Sequence, residues 1–181
     1  DGVQSFSQDA PAALLNAAKT DANIVWVGTE NPVEYEAGDR KTLRLPEVQE
    51  RAILETAKQN ENTIVIVFAG GAVDMRAWAD RVKAVLFAGF PGMGGDEVVV
   101  DILTGKINPS GKLSETFPLS AESVPAVNAY RVAGVTRYQE GLDVGYRYFV
   151  TYEVPVLYPF GYGLSYSEFT YKELLLTAEE D

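Results

Sequence analysis

Four carboxylates and a guanidinium crowd one short stretch of this chain: Glu30, Glu34, Glu36, Asp39 and Arg40 all fall within Gly28-Thr29-Glu30-Asn31-Pro32-Val33-Glu34-Tyr35-Glu36-Ala37-Gly38-Asp39-Arg40. The 181 residues contain no histidine and no cysteine. Ser-His-Asp chemistry, imidazole metal sites, thiolate nucleophiles and thiolate metal sites are therefore closed to these residues, and acid–base work must fall on carboxylates. A bland alternative competes with chemistry here. The stretch could be a solvated acidic turn, neutralised by Arg40 and by Arg44 just beyond it. On these residues alone both readings stay open.

The position of the stretch is informative. It leaves Ile24-Val25-Trp26-Val27, one of three short β-branched apolar runs; the others are Thr63-Ile64-Val65-Ile66-Val67-Phe68 and Ala84-Val85-Leu86-Phe87-Ala88. Runs of this length, apolar on both faces, read as buried parallel strands. Between and after them lie helical patterns: an Ala/Leu-rich segment over 9–19, a segment over 47–58 with Pro46 at its first helical position, and 96–103, which stops at Gly105. The alternation predicts a doubly wound, mostly parallel α/β sheet with right-handed crossovers. In open sheets of this kind ligands bind outside the C-terminal ends of the strands, which is where the acidic loop begins. Loops this long in compact domains are functional candidates. Further on, Pro109-Ser110-Gly111 and Pro118 punctuate turns, and a loop of mixed composition is expected over 120–134. Ten of the eighteen Tyr and Phe residues fall between Tyr146 and Tyr171, with an alternation suggestive of strands and edge packing or of a dock for a neighbouring domain.

Composition narrows the partners. An apolar fraction of 46% in 181 residues suits one globular domain. Fifteen basic against 26 acidic residues give a net charge of −11 with no basic stripe, so nucleic acid and anionic membrane are not expected partners. No apolar run approaches the roughly 20 residues of a membrane span. The start Asp1-Gly2-Val3-Gln4 lacks the regions of a signal peptide and an initiator Met, so the chain reads as a piece of a larger polypeptide whose compartment stays unassigned. Absence of cysteine fits either redox compartment.

Three glycine-rich segments fail the motifs they suggest. A dinucleotide fingerprint from Gly92 would need glycine where Glu97 stands, and a carboxylate there would face the pyrophosphate. In 105–114 five residues separate the glycines, and Leu113 follows Lys112 where a phosphate loop needs a hydroxyl. Gly163-Leu164-Ser165-Tyr166-Ser167 lacks the second glycine of a nucleophile elbow and any histidine to activate its serine.

Seven segments in order carry a resemblance. Glu36-Ala37-Gly38-Asp39-Arg40 with Leu43 and Leu45-Pro46 is followed by Trp78 before Val82-Lys83-Ala84-Val85-Leu86, then Pro91-Gly92-Met93 and Asp101-Ile102-Leu103-Thr104-Gly105. After these come Asn108-Pro109-Ser110-Gly111-Lys112-Leu113 with Thr116-Phe117-Pro118, Tyr138-Gln139-Glu140-Gly141 with Val144-Gly145-Tyr146-Arg147-Tyr148, and Pro159-Phe160-Gly161-Tyr162-Gly163-Leu164-Ser165-Tyr166. Across residues 24–171 the chain resembles the α/β sandwich domain of family 3 glycoside hydrolases, the β-glucosidase/β-xylosidase type. Ala37 and Gly38 exchange the usual small-residue positions of the loop, and Gly94-Gly95-Asp96 stands where Glu-Gly-Gly is commoner. The first strand and helix usual to that domain would precede Asp1.

The resemblance implies residues 1–171 as the domain and 172–181 as a tail or the start of a linker. It implies a retaining exo-glycosidase acting on terminal β-linked glucosyl or xylosyl units, with no metal or cofactor. Glu36 would be the general acid/base, four residues before Arg40 as the family pattern requires, with Glu34 and then Glu30 as fallbacks. Asp39 and Arg40 would support the loop. The nucleophilic Asp would lie on a separate (β/α)8 barrel, nothing of which is seen in these residues, and a fibronectin-type-III-like domain or linker would follow. Closure against the barrel and the nucleophile's charge would raise the acid's pKa so that it carries a proton when needed. Two other readings remain at this stage: a non-catalytic carbohydrate-binding or domain-docking module, and a nucleotide-binding α/β protein, which the failed glycine patterns disfavour.

Overall fold

The computed structural model describes residues 17–29, 35–36, 38–128, 134–135 and 137–177. Three strands form one parallel sheet in the order β1-β2-β3: β1 is Asn23–Gly28, β2 Thr63–Phe68 and β3 Ala84–Phe87. Their register sets Ile24 beside Ile64 and Ile64 beside Ala84. All three apolar runs are thus neighbours in the arrangement the sequence predicts.

Because side chains alternate along a strand, Val25 and Val27 of β1 share one face with Val65 and Val67 of β2. All four are buried, in one core with Ile53, Leu45, Met75, Trp78 and Phe117. The central strand is also closed on its other face at Ile66, which is fully buried. In β1 the expectation of burial on both faces does not hold: Ile24 and Trp26 remain 46% and 44% exposed. Trp26 instead stacks on Phe68, with ring centroids 5.5 Å apart and planes 7° apart. Among the described residues β1 stands at the edge of the sheet, and its outer face gains less cover than that of β2.

The helix α1, Glu47–Gln59, crosses over from β1 to β2. Pro46 stands one position earlier than expected, as N-cap, with φ −51° and ψ 138°. Its fixed φ suits that place, and its carbonyl accepts the amides of Gln49 and Glu50 at 2.9 and 3.1 Å. After β3 comes α2, Gly95–Leu103, ended as predicted near Gly105, whose φ of +77° favours a residue without Cβ. Residues 121–123 and 125–128 make 3-10 turns within the segment expected to be loop.

The aromatic segment differs most from its sequence pattern. Tyr146–Thr151 is a helix, α3, and only Val156–Tyr158 is a strand, β5, paired antiparallel with β4, Phe117–Pro118. In so short a run, alternation and helical spacing coincide. Tyr148 meets Tyr152 one turn on, with centroids 5.2 Å apart, and Phe149 alone of the helix is buried. The later glycine motif is structural: Leu113 N–H donates to Tyr162 O and Gly161 N–H to Leu113 O, both at 2.8 Å. Asn108 Oδ1 accepts Tyr166 N–H at 3.0 Å and Ser165 Oγ at 3.2 Å.

Candidate active site

The acidic loop leaves the C-terminal end of β1, and its two stems are fixed by different means. At the first stem, Thr29 N–H donates to Phe68 O at 2.9 Å, and Gly28 N–H donates to Gln49 Oε1 at 3.0 Å. Gln49 is the third residue of α1, from which a glutamine side chain often turns back to the N-cap amide. Pro46 has no N–H to offer, and the side chain bonds β1 instead.

At the second stem, Leu45 is buried, and Leu43 O accepts Asp74 N–H at 2.8 Å. Arg44 bonds Glu50 through both Nε, 3.2 Å from Oε1, and Nη2, on Oε2. Glu50 is 3% exposed, and its bonds raise the Arg44 guanidinium above its ordinary value, side-chain hydrogen bonding first and charge second. Such a bidentate pair is geometrically specific. Arg44, which the sequence offered as a neutraliser of the acidic loop, is therefore engaged by α1.

Between the stems lies a turn. Tyr35 and Gly38 form an antiparallel bridge, with Gly38 N–H on Tyr35 O at 3.0 Å, and a side chain at Gly38 would run into the Tyr35 ring. Tyr35 and Glu36 are exposed at its tip; Asp39 is exposed and Arg40 half-buried at its exit. Glu30 and Glu34, the fallback acids, lie outside the described residues, as does Ala37. Arg40, Leu43, Gly71, Glu115, Tyr146 and Phe160 are among the residues lining a cavity of about 360 Å³ behind the exit. Among the described residues no group of three or more Asp and Glu side chains is arranged to hold a metal ion, and no helix is long and apolar enough to cross a membrane.

Asp74, which pins Leu43, is itself tied to Arg76. It accepts the Arg76 Nε, Nη2 and backbone N–H at 2.9, 2.8 and 3.1 Å. These bonds hold its carboxyl below the usual range, with burial opposing them. A depressed carboxyl contributes stability that is present above its unfolded value of about 3.9 and lost as pH falls through the folded one. Asp74→Asn is therefore expected to lower Tm by about 2–4 °C at pH 7, with the gap to the parent closing below about pH 4. Thermal unfolding at pH 7 and pH 3 checks this; an equal gap at both would disprove it.

Sequence reasoning did not single out Gln49, Glu50, Gly71 or Glu115. Only Gln49 and Glu50 left a trace, as polar residues in the first turn of a helix that follows the loop.

Over residues 4–166 the sequence matches the family described as Glycosyl hydrolase family 3 C-terminal domain. It is 39% identical over 167 residues to a thermostable beta-glucosidase B of Acetivibrio thermocellus, covering 89% of this chain and 22% of that protein. To an exo-alpha-(1->6)-L-arabinopyranosidase of Bifidobacterium longum it is 35% identical over 158 residues, covering 87% and 21%. The crystal structure of a GH3 beta-glucosidase from Bifidobacterium adolescentis superposes with a TM-score of 0.82 at 35% identity, over 85% of this chain and 23% of that one. The chain thus spans about a fifth of the length of these relatives.

Proposed function

The chain belongs to the glycosyl hydrolase family 3 C-terminal domains, and on that premise we propose that it supplies the general acid/base of a retaining exo-glycosidase whose nucleophilic Asp lies on a separate (β/α)8 barrel of the same, longer polypeptide. One observation carries the proposal: Glu36 sits exposed on a tight turn whose two stems are both anchored, at the C-terminal edge of a parallel sheet. Pre-organised supports of this kind hold a catalytic group in place while leaving it accessible.

The chemistry follows from two carboxyl groups about 5–5.5 Å apart. In the first step the Asp carboxylate attacks the anomeric carbon, the glycosidic C–O bond breaks, and the proton on Glu36 goes to the departing oxygen. In the second, Glu36, now a carboxylate, takes a proton from water as the water oxygen attacks the same carbon and the Asp leaves. Asp39 and Arg40 support the turn. Glu34, then Glu30, would take the acid role if the register differed.

The proposed substrates are terminal β-linked glucosyl or xylosyl units. The named activities of the relatives extend to an arabinopyranosidase at nearly the same identity, which supports placing most sugar-selecting contacts on the barrel. Residues 1–171 act as the domain. The exposed Leu174, Leu175 and Leu176 fit 172–181 as a tail or the start of a linker to a following domain, of which a fibronectin-type-III-like module is the proposed type.

Trapping the complete enzyme with a dinitrophenyl 2-deoxy-2-fluoroglucoside tests the division of labour. The slow second step should leave the sugar on an Asp outside these 181 residues, located by peptide mass spectrometry. A label on any carboxylate of this chain would overturn the scheme.

A further inference from the structure

The exit of the Glu36 turn touches a residue that no motif draws attention to. A methyl group placed on Gly71 would lie 3.2 Å from Arg40 Nη2 and 3.4 Å from Glu115 Oε1. A guanidinium and a carboxylate therefore both lie over one glycine, and the missing Cβ leaves them their room. All three residues line the cavity behind the turn. Beyond Arg40 the chain is held by its own contacts, through Leu43 on Asp74 and Arg44 on Glu50. Arg40, half-buried, is thus where the anchored stem meets the exposed turn, one residue past Asp39 and four past Glu36.

We infer that Glu115 is a positioning residue which, over Gly71 and through Arg40, sets the orientation of the Glu36 turn; this rests on Glu36 being the acid/base. A planar guanidinium transmits orientation as well as charge, since its donors point along fixed directions. Glu115 itself is exposed, so its removal costs the fold little. What it changes is the placement of the acid, to which rates are steeply sensitive.

The test uses the complete enzyme with two substrates, a disaccharide whose alkoxide needs a proton to leave and a dinitrophenyl glycoside whose phenolate does not. Glu115→Gln should slow disaccharide hydrolysis about tenfold while leaving dinitrophenyl release in the first turnover within about twofold. Glu115→Asp, which keeps the charge, should recover part of the loss, and Tm should stay within about 2 °C. The double variant Arg40→Gln/Glu115→Gln should be no slower on the disaccharide than Arg40→Gln alone, because both act through one contact. Equal slowing of both substrates, or additive losses in the double variant, would overturn the inference and leave the Glu36 assignment standing. Glu36→Ala, run alongside, keeps the two apart: if its losses are not rescued by azide, the acid assignment falls and this inference falls with it.

Discussion

Glu36→Ala in the complete enzyme is expected to slow hydrolysis of a disaccharide by roughly 10²–10⁴, the range of a lost general acid. Formation of the glycosyl-enzyme from a dinitrophenyl glycoside should change far less, since an activated phenolate departs almost without protonation. The second step should slow as well, because the same carboxylate is the base for water. Added azide should restore turnover, as an anion attacks without surrendering a proton, and the product should be a β-glycosyl azide. Pre-steady-state release of dinitrophenol separates the two steps. Glu34→Ala and Glu30→Ala should lack the combined signature. Rescue of Glu34→Ala in place of Glu36→Ala would move the acid by two residues; rescue of none of the three would reduce the loop to a binding or structural element.

The parallel sheet was legible because Ile24–Val27, Thr63–Phe68 and Ala84–Phe87 are short, β-branched and apolar at both odd and even positions, the pattern of buried parallel strands, although only the central β2 is closed on both faces. The edge from which the acidic loop departs was legible as a consequence, since the end of β1 fixes it. The aromatic segment was not. Six residues, Tyr-Arg-Tyr-Phe-Val-Thr, satisfy either period, and the chain takes the helix over Tyr146–Thr151 with Phe149 as its buried residue. The anchors of the loop were illegible for another reason. Gln49 reaches Gly28 across 21 residues of chain, and Glu115 and Arg40 come together over Gly71 across a far longer stretch. No periodicity or local propensity encodes such pairs; only the register of the sheet and the crossover of α1 bring them together. Arg44 shows the same limit in reverse: next to an acidic loop in sequence, it bonds the helix that follows.

The purified 181-residue chain, folded by the criterion of a cooperative thermal transition, is expected to show no turnover of aryl β-glucosides or β-xylosides above background. Aryl glycosides with good leaving groups are the most permissive substrates, because they need the acid least and so ask most of the missing component. Their hydrolysis demands stabilisation of an oxocarbenium-like carbon, which an Asp placed on the opposite face provides and a proton donor does not. Glu36 could protonate the leaving oxygen of a disaccharide only if the sugar were held within hydrogen-bond reach, about 2.6–3.2 Å. Among the described residues of the turn, Tyr35, Glu36 and Asp39 are exposed, and the barrel that would close over them lies, in the proposed scheme, outside this chain. Both halves of the loss therefore point the same way, and the deficit should be of the order of the whole catalysed rate enhancement, not of one group. Co-expression with the segments that flank the chain in the complete enzyme should restore activity, through association of the two parts and not through a change within this one. Turnover by the pure chain, abolished by Glu36→Gln, would place a nucleophile among these residues and overturn the division of labour.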